Sequence, residues 1–375
     1  MIADQPQLKP TLSLHRRTFE RAGAAAALLG IFFSFFGLSW DIQWHADVGP
    51  DTFWTLPHLF VYTGSALTGL ACLSVSLISS RLYRQDPDPA WISVLGGRFH
   101  APVGFVVSGL GALGFLLFGF FDQWWHGKFG FDVTLDSPPH IGLLLSLVVT
   151  MCGASLIFVS GRQVRPLAYA LSVALCLGFA LPVLTMLLSE MDLNFQYLIF
   201  PVVFFSLGMT LVASVTRSPW WVLGMTMMFA AFRTFNWYSI PYLDRAYADA
   251  LGYGVRESAR GFAYIPFLSP MFAPLAGLVF AAVAIVWRRR RWNAALSAAV
   301  AAALAAPLLY VEGTIIKLGE TPVLIPVVML LGAVFGWVGW QLGVVIRHSV
   351  AANTADTANN TANTDTSANP VGQQA

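Results

Sequence analysis

Residues 22–58 read AGAAAALLGIFFSFFGLSWDIQWHADVGPDTFWTLPH, and this stretch decides the architecture. An apolar run of about 20 residues, enough to cross a bilayer core of about 30 Å, ends in Asp41, Gln43, Trp44 and His45. A short loop follows, and Pro57-His58 opens the next apolar run. The polar residues therefore sit at a helix–loop–helix junction at one end of two spans. Working outward, about ten such runs appear, near 22–42, 56–79, 101–122, 139–161, 166–189, 195–216, 219–241, 266–287, 293–312 and 322–346. They are too long and too closely spaced for the strands of a barrel, which alternate over about ten residues.

Composition agrees. Charged residues make up 11 % of the 375 residues, where soluble domains carry about 25 %. Hydrophobic residues reach 57 % and mean hydropathy is +0.66, more apolar surface than a soluble interior hides. A secreted or cytosolic enzyme is excluded, and a net charge of +2 is too weak for a nucleic-acid partner. The expected fold class is an all-α polytopic membrane protein with about ten transmembrane helices. Cys72, Cys152 and Cys176 lie inside apolar runs and form neither a disulfide framework nor a CxxC motif.

Lysine and arginine set the orientation. Fifteen of them, among them Arg16, Arg17, Arg81, Arg165, Arg217, Arg288 and Arg347, fall on one side of the expected spans. Five (Lys128, Arg245, Arg256, Arg260 and Lys317) fall on the other, and Arg233 lies within a span. The bias places both termini in the cytoplasm of a cell whose inner membrane holds the chain. The first run has no small-residue cleavage site after it and reads as a retained span. The chain divides into a cytoplasmic segment 1–21, a four-helix region 22–165, further membrane helices 166–349 and a tail 350–375. The tail, rich in Ala, Asn, Thr and Asp, reads as disordered.

The chemistry lies in an internal repeat. Asp41-Ile42-Gln43-Trp44-His45 is followed by Pro57-His58, and Asp122-Gln123-Trp124-Trp125-His126 by Pro139-His140. Asp and His at i and i+4 lie one helical turn apart on one face, and the second His enters from the next helix. Asp plus two His can close on one ion with bonds of about 2.0–2.2 Å and leave a coordination position open. The expectation is a repeated metal-binding helical hairpin with ligands Asp41, His45, His58 and Asp122, His126, His140. Capping of helix ends alone does not explain Pro-His in both copies. Carboxylate and imidazole serve copper, iron and zinc alike.

This pattern, D-x3-H-x12-H and then a second triad with x3 and x13, resembles the C subunit of the particulate methane and ammonia monooxygenases. The match covers roughly residues 20–165. The resemblance implies two neighbouring copper positions on these triads, near the outer (periplasmic) face. It also implies a membrane-bound, copper-dependent monooxygenase that oxidises a small or lipophilic substrate with O2. Up to two copper ions, an electron donor, the lipid bilayer and partner subunits or a homo-oligomer follow as partners. One departure stands out: the methane enzyme has Asn as the first ligand of its second triad, where this chain has Asp122. The half after about residue 190 is not covered.

Other polar residues read more blandly. Asp47, Asp51, Asp132 and Asp136 in the two ligand loops, with Glu190, Asp192 and Glu312, can orient a ligating imidazole but read as ordinary loop carboxylates. Trp40, Trp44, Trp54, Trp124 and Trp125 read as an interfacial belt. Met225, Met227 and Met228 suit packing better than cuprous copper. Two other functions compete. Metal transport or storage fits the span count, but the ligands sit at one edge with no polar trail to the cytoplasm. Haem ligation by the four histidines leaves Asp41 and Asp122 without a role.

Overall fold

The computed structural model describes residues 9–85, 91–130, 137–159, 165–189, 196–259, 261–290, 292–317 and 324–366. The helices are α1 (Lys9–Asp47), α2 (Leu56–Leu82), α3 (Val103–Phe129), α4 (Pro138–Ile157), α5 (Pro166–Ser189), α6 (Gln196–Thr216), α7 (Trp220–Leu251), α8 (Tyr264–Phe267), α9 (Ala273–Arg289), α10 (Ala294–Lys317) and α11 (Ile325–Thr366). Each of the ten expected runs coincides with a helix for most of its length. Among the described residues, eight helices are long and apolar enough to cross a membrane: α1 to α6, α10 and α11. The protein is thus a multi-pass membrane protein. The other two fall short for visible reasons. α7 carries Arg233, Asp244, Arg245 and Asp249 along its 32 residues, and α9 has only 17 residues.

The all-α expectation needs one amendment. Between α2 and α3, β1 (Trp91–Val94) and β2 (Phe99–Pro102) pair antiparallel, with Trp91 opposite Pro102 and Val94 opposite Phe99. Gly96 and Gly97 supply positive φ at the turn. At the far end, α11 runs as helix to Thr366, into the stretch expected to be disordered; its alanines favour that conformation.

The repeat appears as two tight helical hairpins, α1 with α2 and α3 with α4, joined by packing of α2 on α3. Small residues let the backbones approach, as membrane interfaces require. A Cβ on Gly64 would strike Gly30 O and Ser34, and one on Gly153 would strike the backbone of Ser108. Hydroxyls then bridge the helices: Thr68 Oγ1 donates to Ala27 O at 3.3 Å and Ser108 Oγ to Thr150 O at 2.9 Å. In the second half α11 and α10 pack against α6, and α9 against α7 and α10, in a core continuous with Ala24, Cys72 and Phe105 of the first half. α7 returns to α1 through Phe32, Phe35 and Phe36, which meet Phe232 and Phe235 at centroid separations of 4.7–6.3 Å.

Candidate metal centre

α1 and α3 end, and α2 and α4 begin, at the same end of the bundle, so both copies of the motif lie there. Proline explains the second histidine of each copy. Pro57 occupies the first turn of α2, and Pro138 and Pro139 that of α4. Proline tolerates the first turn because its missing N–H would have no helical partner there. Both helices therefore start so that His58 and His140 are third residues, facing back toward α1 and α3.

In the first copy, His58 Nε2 lies 3.0 Å from Asp41 Oδ1, and His45 Nε2 lies 3.7 Å from the same oxygen. In the second, His126 Nε2 and His140 Nε2 lie 3.4 and 3.3 Å from Asp122 Oδ1. All six expected residues converge, three to a cluster, and within each cluster the donor atoms lie within 4.8 Å of one another. That spacing suits one ion with bonds of about 2.0–2.2 Å.

The structure adds a residue that the sequence reading set aside as an ordinary loop carboxylate. Asp51 belongs to the first cluster. Its Oδ2 lies 2.9 Å from His45 Nε2 and 3.2 Å from His58 Nε2, and its side chain has no exposure. Its other oxygen accepts the Thr52 N–H at 2.7 Å. Burial works to raise its pKa, but the hydrogen bond with His45 and the charge of His58 outweigh it, and the carboxyl lies below its ordinary value. The loop that delivers Asp51 turns at Gly49, φ +101°, over which the Arg256 guanidinium is seated. Arg256 also donates through its Nη1 to His45 O at 3.1 Å and through its backbone N–H to Asp47 O at 2.8 Å. A cation there suits the carbonyl end of α1. Asp132, which stands 81 residues after Asp51 as Asp122 stands after Asp41, lies outside the described residues, as do Asp136, Glu190, Asp192 and the Glu312 side chain.

Hydrogen bonds at the far ring nitrogens show what the near ones face. His58 Nδ1 lies 3.0 Å from Thr52 O, and His126 Nδ1 lies 3.1 Å from Gly130 O. A carbonyl only accepts, so each Nδ1 carries the proton. In the neutral ring Nε2 then presents a lone pair to a carboxylate oxygen. Two acceptors about 3 Å apart repel unless a cation, a proton or a metal ion, lies between them. The Asp41 Oδ1 and Asp51 Oδ2 atoms are shielded from water and face these imidazole nitrogens. A backbone carbonyl behind a ligating imidazole is the usual device for fixing its tautomer. The donors therefore fit a metal ion.

The rear face of α1 is polar too, and the second half of the chain covers it. Gln43 Nε2 donates to Asp47 Oδ2 at 2.7 Å and to Phe262 O at 3.1 Å, while Gln43 Oε1 accepts Tyr264 N–H at 3.1 Å. Tyr247 Oη accepts Leu56 N–H at 3.2 Å. Trp44 is fully buried against Tyr247 at 4.9 Å and donates to Pro50 O at 2.7 Å. This corrects the belt reading for Trp40 and Trp44, which are interior residues. Trp54 and Trp124 are outward-facing. Arg233 donates to Ser269 O at 2.9 Å. Met225 is buried while Met227 is exposed, so the methionines do not converge on a site.

Tyr62, one turn beyond His58 on α2, joins the two clusters. Its ring lies 5.8 Å from that of His58 and 6.4 Å from that of Phe115 on α3. It feels the charges of Asp41, Asp122 and Asp51, carboxylates of both clusters. Comparisons with protein families, with curated proteins and with solved structures find no match to the chain.

Proposed function

We propose that the protein is a copper-dependent membrane oxidoreductase of the monooxygenase type. In this reading it oxidises a small or lipophilic substrate with O2 at two neighbouring metal positions. The observation that carries the reading is the pairing of two Asp-His-His clusters at one end of the bundle, each with imidazole nitrogens turned toward a carboxylate oxygen. The resemblance to the C subunit of particulate methane and ammonia monooxygenases supports copper as the metal. The lysine and arginine bias supports an inner-membrane setting, cytoplasmic termini and an outer, periplasmic location for the clusters.

Asp41, His45 and His58, with Asp51, hold the first ion; Asp122, His126 and His140 hold the second. Bound copper supplies the exchange of electrons with O2. The chain supplies the rest. The carbonyls of Thr52 and Gly130 fix the imidazole tautomers, the Arg256 loop seats Asp51, and Tyr62, with Phe53 and Phe115 against it, lays apolar surface beside His58. An apolar substrate dissolved in lipid reaches such a site laterally. Partner subunits and an external electron donor complete the proposed system.

The alternative is copper transport or storage. Both metal-suited clusters among the described residues lie at one end of the bundle, which favours chemistry at an edge over passage. The test is O2-dependent product formation by copper-loaded protein with an electron donor, across a panel of hydrophobic substrates. Product that disappears in His140→Ala supports the proposal. Copper uptake into vesicles with no O2-dependent product overturns it in favour of transport.

A further inference from the structure

Among the described residues, the first cluster carries one carboxylate more than the second. Its four donors are two imidazoles and two carboxylates, Asp41, His45, Asp51 and His58. The resemblance supplies three of these; Asp51 is not among them. Asp51 is fully shielded from solvent, and its Oδ2 faces both Nε2 atoms at 2.9 and 3.2 Å. Asp41, its side chain 15 % exposed, faces the same imidazoles at 3.7 and 3.0 Å. Two negative charges a few ångströms apart, poorly hydrated, are costly unless compensated. A divalent ion neutralises them. A monovalent ion leaves one charge over.

We propose that this position is a divalent-cation site whose paired carboxylates retain cupric or zinc-class ions and disfavour cuprous copper. The inference rests on the reading of the cluster as a metal position and adds which charge state it takes, leaving the exchange of electrons with O2 to the second position. Ligand softness points the same way: oxygen donors favour harder, more highly charged ions, and cuprous copper prefers thiolate and thioether. The built loop argues that Asp51 is meant to be there. Gly49 adopts φ +101° with the Arg256 guanidinium seated against it, and Thr52 N–H holds Asp51 Oδ1 at 2.7 Å. Together these aim Oδ2 inward.

The experiment isolates the first position in a His140→Ala background, in lipid nanodiscs, loaded with one equivalent of Cu(II). Excess ascorbate then donates one electron per Cu(II), and the cupric electron paramagnetic resonance signal is followed. The expected result is a persistent signal in His140→Ala, at least roughly tenfold weaker retention in Asp51→Asn/His140→Ala, and retention restored by Asp51→Glu/His140→Ala. Zn(II) added to the reduced Asp51→Asn double variant displaces its copper, with metal content read on the desalted protein. Equal bleaching with and without the Asp51 carboxylate overturns the inference. Absence of O2-dependent product from the copper-loaded wild-type protein, alongside Asp51-dependent cupric retention in the His140→Ala background, overturns the oxygenase reading and leaves this one standing.

Discussion

His45 Nε2 lies 2.9 Å from Asp51 Oδ2 although a helix end and a tight turn separate the two residues. The contact ties the last turn of α1 to the loop that leads into α2, and it makes the first cluster a closed arrangement rather than a helix face. Each element of it has a separate physical cause. The i, i+4 spacing stacks Asp41 on His45, proline starts α2 so that His58 faces back, and Gly49 reverses the chain so that Asp51 returns. Removing any one leaves donor atoms facing each other with the wrong number of partners.

Metal content separates the two clusters. The wild-type protein is expected to hold up to two ions per chain. His58→Ala should empty the first position and His140→Ala the second, each leaving the other filled. Elemental analysis of protein purified in its membrane environment reads this directly. Unchanged content in both variants would show that the ion binds elsewhere.

Gly49→Ala tests the loop. The added Cβ meets the Arg256 guanidinium, and φ +101° is strained for alanine. Such strain costs about 1–3 kcal/mol, which the loop relieves by moving Asp51 away. Metal affinity at the first position should fall by roughly 10- to 100-fold, with the second unchanged. Arg256→Ala should not rescue it, because the backbone strain remains. Titration of each position in the corresponding His140→Ala and His58→Ala backgrounds measures the effect; equal losses at both would argue for general misfolding instead.

The helices and six of the seven donors were legible in the sequence for different reasons. Bilayer thickness forces spans long enough to read without a structure. The repeat, with its fixed i, i+4 and Pro-His spacings, marks Asp41, His45, His58, Asp122, His126 and His140 because helix periodicity alone brings them together. Asp51 was not legible. Its place depends on a positive φ at Gly49 and on Arg256, whose bond to His45 O crosses 211 residues of sequence. Trp40 and Trp44 were misread for a related reason: a tryptophan at a span end looks the same whether lipid headgroups or another helix lies beside it. The half after residue 190 carried no motif, yet Tyr247, Arg256, Phe262 and Tyr264 brace the rear of α1. Their contributions are mostly backbone groups and ring faces, which leave no pattern in sequence.

Asp244 gives a pH dependence. It is fully buried on α7, and burial, then the charge of Asp47, pushes its carboxyl from 3.8 up to about 7 against the opposing pull of the Trp40 indole N–H and Arg245. A carboxyl raised in the folded state favours folding most at low pH. Its contribution falls as pH rises from about 4 to about 7, by about 1.4 kcal/mol per pH unit, and is flat above. Asp244→Asn should therefore raise the melting temperature of the metal-free protein at pH 8 and make little difference near pH 4. A substitution that destabilises equally at both pH values would contradict this account.

Asp122→Asn addresses the second cluster at nearly constant shape. Asp122 Oδ1 faces His126 and His140 Nε2 at 3.4 and 3.3 Å, and the Gly130 carbonyl holds the proton of His126 on Nδ1. The carboxylate and the His126 lone pair facing it attract a cation. An asparagine amide supplies N–H donors where the carboxylate has none, so the metal-free cluster becomes self-satisfied while its attraction for an ion falls by one charge. Two consequences oppose each other in a way that simple unfolding does not produce. Metal affinity at the second position should drop by at least roughly tenfold, and the metal-free protein should keep or gain stability, by about 1 kcal/mol at most. Copper titration in a His58→Ala background reads the first, and thermal unfolding of the metal-free protein reads the second. Asp41→Asn should cost its own position less affinity, because Asp51 remains there as a second carboxylate facing both imidazoles. Undiminished copper binding in Asp122→Asn would mean that the carboxylate charge does not hold the ion, and the second cluster would lose its standing as a metal position.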